Sequence, residues 1–162
     1  MTFSRGKAEK AQSREFVTLQ PKESLSTLSK AKITITNYLG GQYFLTVDEI
    51  VITKEKVSLI EGKHSKNAIL PSKGDIKDGL FKMILYCNLT DVTANGTKIK
   101  SEAVLSLTSS KLRGSISSNS TKGELTNFFK INNFSDTQIL LVETAIKESR
   151  QNKFIIKLQY SK

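Results

Sequence analysis

Glu61 and Lys63 close the apolar run Val57-Ser58-Leu59-Ile60-Glu61-Gly62-Lys63, and Asp48 stands in the apolar run before it. Side chains alternate along a strand, so Glu61 and Lys63 point one way and Gly62 the other. A second carboxylate from a neighbouring strand would complete an oxygen-donor site. Mg²⁺ accepts such a site, because it keeps several waters and needs only one or two protein carboxylates. Lys63 would stand near a water directed at phosphorus, where an ammonium stabilises developing negative charge. A metal, a positioned water and a cation are what phosphodiester hydrolysis requires.

These residues need a hairpin to meet. Residues 43–52 form an apolar, β-branched run that predicts a strand. Residues 57–64 predict the next, with Thr53-Lys54-Glu55-Lys56 as the polar connection. Lys32-Ile33-Thr34-Ile35-Thr36 alternates at period two and predicts an earlier strand, so the expected unit is a three-strand meander. Upstream, Arg5 to Leu19 predicts a short polar helix stopped by Pro21. Downstream, Ser72 and Asp75 have N-cap spacing and open a helix over 73–88, with Ile76, Leu80, Met83, Ile84 and Cys87 inward. Residues 102–108 predict a strand, and the Ser/Asn-rich stretch 109–123 a loop. Helices follow over 124–131 and 136–150, the second opened by Ser135 and Gln138 and turning Ile139, Leu140, Val142 and Ile146 inward. Residues 154–160 predict a final strand. Antiparallel strands followed by crossover helices imply an α/β (α+β) fold, a mixed central sheet flanked by helices.

Asp48…Glu61-Gly62-Lys63 on paired strands with a helix after them resembles the PD-(D/E)xK nuclease core. The wider run from Ile60 to Lys66, with Leu70-Pro71-Ser72 and Asp75-Ile76-Lys77-Asp78-Gly79-Leu80, resembles type II restriction endonucleases of that superfamily. The similarity covers Val47 to Leu89 and implies a restriction-endonuclease-like core. It further implies Mg²⁺-dependent cleavage of double-stranded DNA by a homodimer, with Asp48 and Glu61 as metal ligands and Lys63 acting on water. Val47 replaces the proline of the family pattern, and Glu49 follows Asp48 directly. Either acid offers a ligand, but neighbours on a strand face opposite sides. The family's preference for Asp favours Asp48. Family members often carry an acid in the preceding helix, a place that Glu9 or Glu15 would fill.

Bulk properties fit a polyanionic partner. The 162 residues suffice for one domain, and 25 Lys+Arg against 15 Asp+Glu give a formal charge of +10. Lys66, Lys73, Lys77 and Lys82 surround the candidate site, and Lys111, Arg113 and Lys122 lie in the Ser/Asn-rich stretch; all suit phosphate contacts. No segment reaches the roughly 20 apolar residues of a spanning helix, so no membrane partner is expected. The single cysteine, Cys87, excludes an internal disulfide and is most simply a core residue, as is Met83. The opening residues lack an apolar stretch, and the expected compartment is the reducing cytoplasm. His64 falls on the face opposite Glu61, which suits a structural or DNA-backbone role. Asp75 and Asp78 are expected to cap the helix and complement its dipole.

Three alternatives accompany the restriction-enzyme reading. The same core in a junction resolvase or DNA repair nuclease would act on branched or damaged DNA. A non-catalytic basic module would bind DNA only, with Glu61 and Lys63 as an ion pair on a solvated sheet face. The short stretch before Asp48 also fits a C-terminal portion of a longer enzyme.

Overall fold

The computed structural model describes residues 28–29, 32–36, 39, 41–53, 55–89, 92–94 and 97–162. The expected helix over 5–19, with Glu9 and Glu15, lies outside them. The elements are β1 (Leu28–Ser29), β2 (Lys32–Thr36), β3 (Gln42–Thr46), β4 (Glu49–Ile52), β5 (Lys56–Ser65), α1 (Lys73–Cys87), β6 (Thr93–Ala94) and β7 (Thr97–Lys98). They continue with β8 (Lys100–Ser109), β9 (Ser115–Ser117), α2 (Lys122–Ile131), α3 (Asp136–Asn152) and β10 (Ile155–Tyr160).

Six strands form one mixed sheet in the order β1-β4-β5-β8-β10-β9. β4 and β5 are an antiparallel hairpin, β5-β8 and β8-β10 pair in parallel, and β9 closes the far edge antiparallel to β10. Parallel neighbours need crossovers; α1 lies on the first of these and α2 and α3 on the second. The result is a mixed α+β fold. Val57 and Leu59 on β5, Ala103, Leu105 and Leu107 on β8, Ile156 and Leu158 on β10 and Ile116 on β9 share one sheet face and one apolar core. Ile76 and Met83 of α1, Leu125 and Phe128 of α2, and Val142 and Ile146 of α3 complete that core. On the other sheet face, Ser58, Ile60, Gly62, His64, Ser106, Thr108, Lys157 and Gln159 are half-buried or exposed.

The predicted strand over 43–52 is two strands. The chain breaks regular pairing at Val47 and Asp48, and the halves enter different sheets. β3 pairs with β2 in a separate ribbon, while β4 joins the main sheet through β5, so the three-strand meander does not form. Val47 at the break is fully buried. Asp48 and Glu49 are the polar residues at the bend, but with buried Val47 before them they also read as one strand with an exposed face.

Both predicted caps form. The Ser72 hydroxyl accepts from the Asp75 amide at 3.1 Å, and Ser135 and Gln138 make a reciprocal capping box. A second box, Thr121 with Glu124, starts α2 two residues earlier than the sequence suggested. The Thr121 amide and hydroxyl hold the Glu124 carboxyl below its usual range. The inward faces of the helices are rotated from those expected. In α1 the buried residues are Ile76, Gly79, Met83 and Tyr86, while Ile84 and Cys87 are exposed. In α3 they are Val142, Ala145, Ile146 and Ser149, and Leu140 is exposed. For α1 the cause is Gly79: an added Cβ there would lie 2.5 Å from Leu105 Cδ1, so the helix approaches β8 through a glycine. An apolar periodicity count passes over that residue.

The stretch 109–123 is ordered by its own polar side chains. The Ser118 hydroxyl accepts from the Ile156 amide at 3.2 Å, and Ser109 donates to the Ala68 carbonyl at 2.6 Å. Buried Asn132 accepts from the Arg113 amide at 2.7 Å and donates to its carbonyl at 3.0 Å. The composition that reads as loop here supplies the bonds that fasten β9 to the sheet.

Candidate active site

β4 and β5 pair with Glu49 opposite Ile60. Asp48 immediately precedes β4, where the regular pairing stops. Its Oδ2 accepts from the Gly62 amide at 3.0 Å, which fastens the acid to the strand carrying Glu61 and Lys63. Glu49 pairs with Ile60, whose side chain alternates away from Glu61, so the hairpin turns Glu49 away from the Glu61 face.

That face is covered by α1. Glu61 is 1% exposed, and both Lys63 and Lys82 pair with its Oε1, at 3.0 and 2.8 Å. Lys63 also pairs with Asp78 at 2.5 Å. The Tyr86 hydroxyl donates to the Thr46 carbonyl at 3.1 Å and lies 3.5 Å from Glu61 Oε2. Asp78, Lys82 and Tyr86 recur at every fourth residue of α1, so they form one stripe along the helix. The ion pair expected on a solvated sheet face thus exists, but on the covered face and within a larger network. A buried carboxylate is costly unless paired and hydrogen-bonded, and the two ammonium groups on Oε1 meet that cost.

The network shifts three groups. Burial pushes the Tyr86 phenol well above its usual range, and the charges of Glu61, Asp48 and Asp78 add to that, so it stays a neutral donor. Burial works to lower the Lys63 ammonium, but the hydrogen bonds and charges of Asp78 and Glu61 outweigh it and hold the group above the ordinary lysine value. The Lys63 hydrogen bond and charge hold Asp78 below the usual carboxylate range.

Among the described residues no group of three or more His, Cys, Asp or Glu side chains is placed to hold a metal. Asp48 and Glu61, the two acids the sequence offers, would supply carboxylate oxygens and no nitrogen or sulfur. That donor set fits a hard cation such as Mg²⁺, which fills its remaining positions with water and substrate phosphate.

The other candidate residues lie around the carboxyl ends of the parallel strands. Lys66 follows β5, and Lys111 and Arg113 follow β8. Those two ends are joined by the Ser65–Ser109 register and by the Ser110 amide donating to the Ser65 carbonyl at 3.1 Å. Lys73 and Lys77 occupy the first turns of α1. All five side chains are exposed. Lys122 departs from this group: with Lys147 and Arg150 it rims a hollow of about 320 Å³ between α2 and α3, floored by Leu125 and Ile146. His64 lies on the opposite sheet face, with Nδ1 2.9 Å from Thr108 Oγ1.

Sequence reasoning assigned Asp78 to helix capping, Lys82 to phosphate contact and Tyr86 to no role. Their four-residue spacing after the Glu-x-Lys strand was the available signal. It means little until the helix is known to lie over that strand. No protein-family model matches the chain, and neither a curated protein nor a solved structure matches it significantly.

Proposed function

We propose that the chain is a Mg²⁺-dependent endodeoxyribonuclease that hydrolyses phosphodiester bonds of double-stranded DNA. Within that class we propose a PD-(D/E)xK enzyme of the type II restriction kind, working as a homodimer. The observation that carries this reading is the Asp48 Oδ2–Gly62 amide bond, which ties Asp48 to the residue between Glu61 and Lys63. Asp48 and Glu61 would hold Mg²⁺, which when bound would polarise the phosphoryl oxygen and acidify a water. Lys63, steadied by Asp78, would orient that water and offset charge developing on phosphorus. The buried Tyr86 hydroxyl, which donates to the Thr46 carbonyl, lies 3.5 Å from Glu61 Oε2. Lys66, Lys73, Lys77, Lys111 and Arg113 would lie along the DNA backbone, supplying affinity without sequence readout.

One observation favours the second reading, a DNA-binding module without catalysis: Glu61 is buried beneath two ammonium groups that already satisfy it. Incubation with mixed-sequence linear duplex DNA and Mg²⁺, beside an EDTA control and Glu61→Ala and Lys63→Ala proteins, separates the two. The nuclease reading expects discrete fragments that vanish in all three controls. Salt-sensitive retention of uncut DNA would establish the binding module instead. Cleavage that survives Lys63→Ala would remove the assignment.

A further inference from the structure

We infer that Lys82 is a displaceable counter-ion for the metal site: it holds the buried Glu61 carboxylate until a divalent cation arrives, and then leaves it. The inference rests on the reading of Asp48 and Glu61 as metal ligands. Glu61 has no solvent to neutralise it at 1% exposure, so it needs a cation whether or not a metal is bound. Its Oε1 carries both Lys63, at 3.0 Å, and Lys82, at 2.8 Å, and Oε2 faces Tyr86. A divalent ion cannot reach Oε1 beside two ammonium groups, because their mutual repulsion in a partly buried site is large. One of them must go.

The geometry selects Lys82. Lys63 has a second anchor in Asp78 at 2.5 Å, and its side chain is 16% exposed. Lys82 pairs with Glu61 only, among the described residues, and its side chain is 26% exposed. It also has a place to go. Asp78 lies one turn back on the same helix, at the i, i+4 spacing that suits an Asp–Lys pair, and its side chain is 57% exposed. Lys82 is thus a positioning residue: it keeps the Glu61 rotamer and charge ready and yields its position to the metal.

The test uses the whole chain, Mg²⁺ and no DNA, so that no cleavage enters the readout. Lysines are acetylated with a limiting dose of acetic anhydride with and without saturating Mg²⁺, and Lys82 and Lys63 are quantified by mass spectrometry. Calorimetry of the same preparations, and of Lys82→Met, reports Mg²⁺ affinity. The expected result is that Lys82 labelling rises several-fold with Mg²⁺ while Lys63 labelling does not. Lys82→Met should bind Mg²⁺ tighter by roughly fivefold or more, fivefold being the scale of one unit-charge interaction under full water screening. Binding by Lys82→Met alone, with none by the unaltered chain, would show that Lys82 blocks Glu61 without yielding and would overturn the displacement. If calorimetry shows Mg²⁺ bound while Lys82 stays protected, the displacement is overturned and the metal site stands. If neither protein binds Mg²⁺, the metal reading falls and this inference with it.

Discussion

Glu61 is the one buried charged side chain among the described residues, and the site is built around that fact. A Glu-x-Lys pair in a sequence says only that two charges share a strand face. Here the face is dry, so each partner of Glu61 matters more than it would in water. The Lys63–Asp78 pair is the outer end of the network, and its pH dependence follows from the signs of the shifts. Asp78 is depressed by Lys63, so its stabilising contribution is present above the unfolded carboxyl value of 3.8 and is lost as pH falls through the lower folded value. Lys63 is raised, so its contribution is present below 10.5 and is lost as pH climbs through the higher folded value. Urea titrations of the unaltered chain and Asp78→Asn should therefore differ in midpoint near neutral pH and converge as pH falls below 3.8. A constant difference across that range would mean that Asp78 contributes no ionic interaction.

At the scale of elements, α1 decides which residues meet. Its approach to β8 runs through Gly79, above Leu105, which is fully buried. Alanine would gain about 1 kcal/mol of helix propensity there and lose about 1–3 kcal/mol to overpacking. Gly79→Ala is therefore expected to destabilise the fold by roughly 1 kcal/mol in urea titration, and Leu105→Ala in the same chain should recover part of the loss. A more stable Gly79→Ala protein would show that the helix stands off the sheet. The hairpin is the second deciding element. Its register puts Glu49 opposite Ile60, away from the Glu61 face, and a slip of one residue would bring Glu49 onto that face. The sequence left that choice open between adjacent acids, because alternation alone does not say which face helix α1 covers.

At the scale of the molecule, one group of cations gathers at one end of the sheet. Lys66, Lys111 and Arg113 share the carboxyl ends of the parallel strands with the first turns of α1, as open α/β sheets place their ligands. If duplex DNA lies there, binding should weaken linearly in log–log salt plots. Lys111→Ala and Arg113→Ala should each reduce the slope by about 0.9, the release of counterions at one phosphate. Lys147→Ala, at the hollow between α2 and α3, should leave the slope unchanged. Equal effects from all three would point to diffuse charge instead of an oriented surface. None of the helices in the described residues is long and apolar enough to cross a membrane.

Local chemistry was legible from the residues themselves. Apolar runs located β5, β8 and β10. The cap at Ser72 and the box at Ser135 marked where α1 and α3 begin, because capping is a contact between residues three apart. The same locality explains the pairing of Glu61 with Lys63. What lay beyond it required contacts between distant segments. The division of 43–52 into two strands depends on the burial of Val47, and the rotation of α1 on a glycine meeting Leu105. Asp78, Lys82 and Tyr86 joined the site only because that rotation turns their stripe toward Glu61. The sequence by itself determined which residues have the chemistry to hold a cation and a phosphate. The tertiary structure decided which carboxylate faces which lysine, because that depends on strand register and helix approach, and both are set by packing across the core.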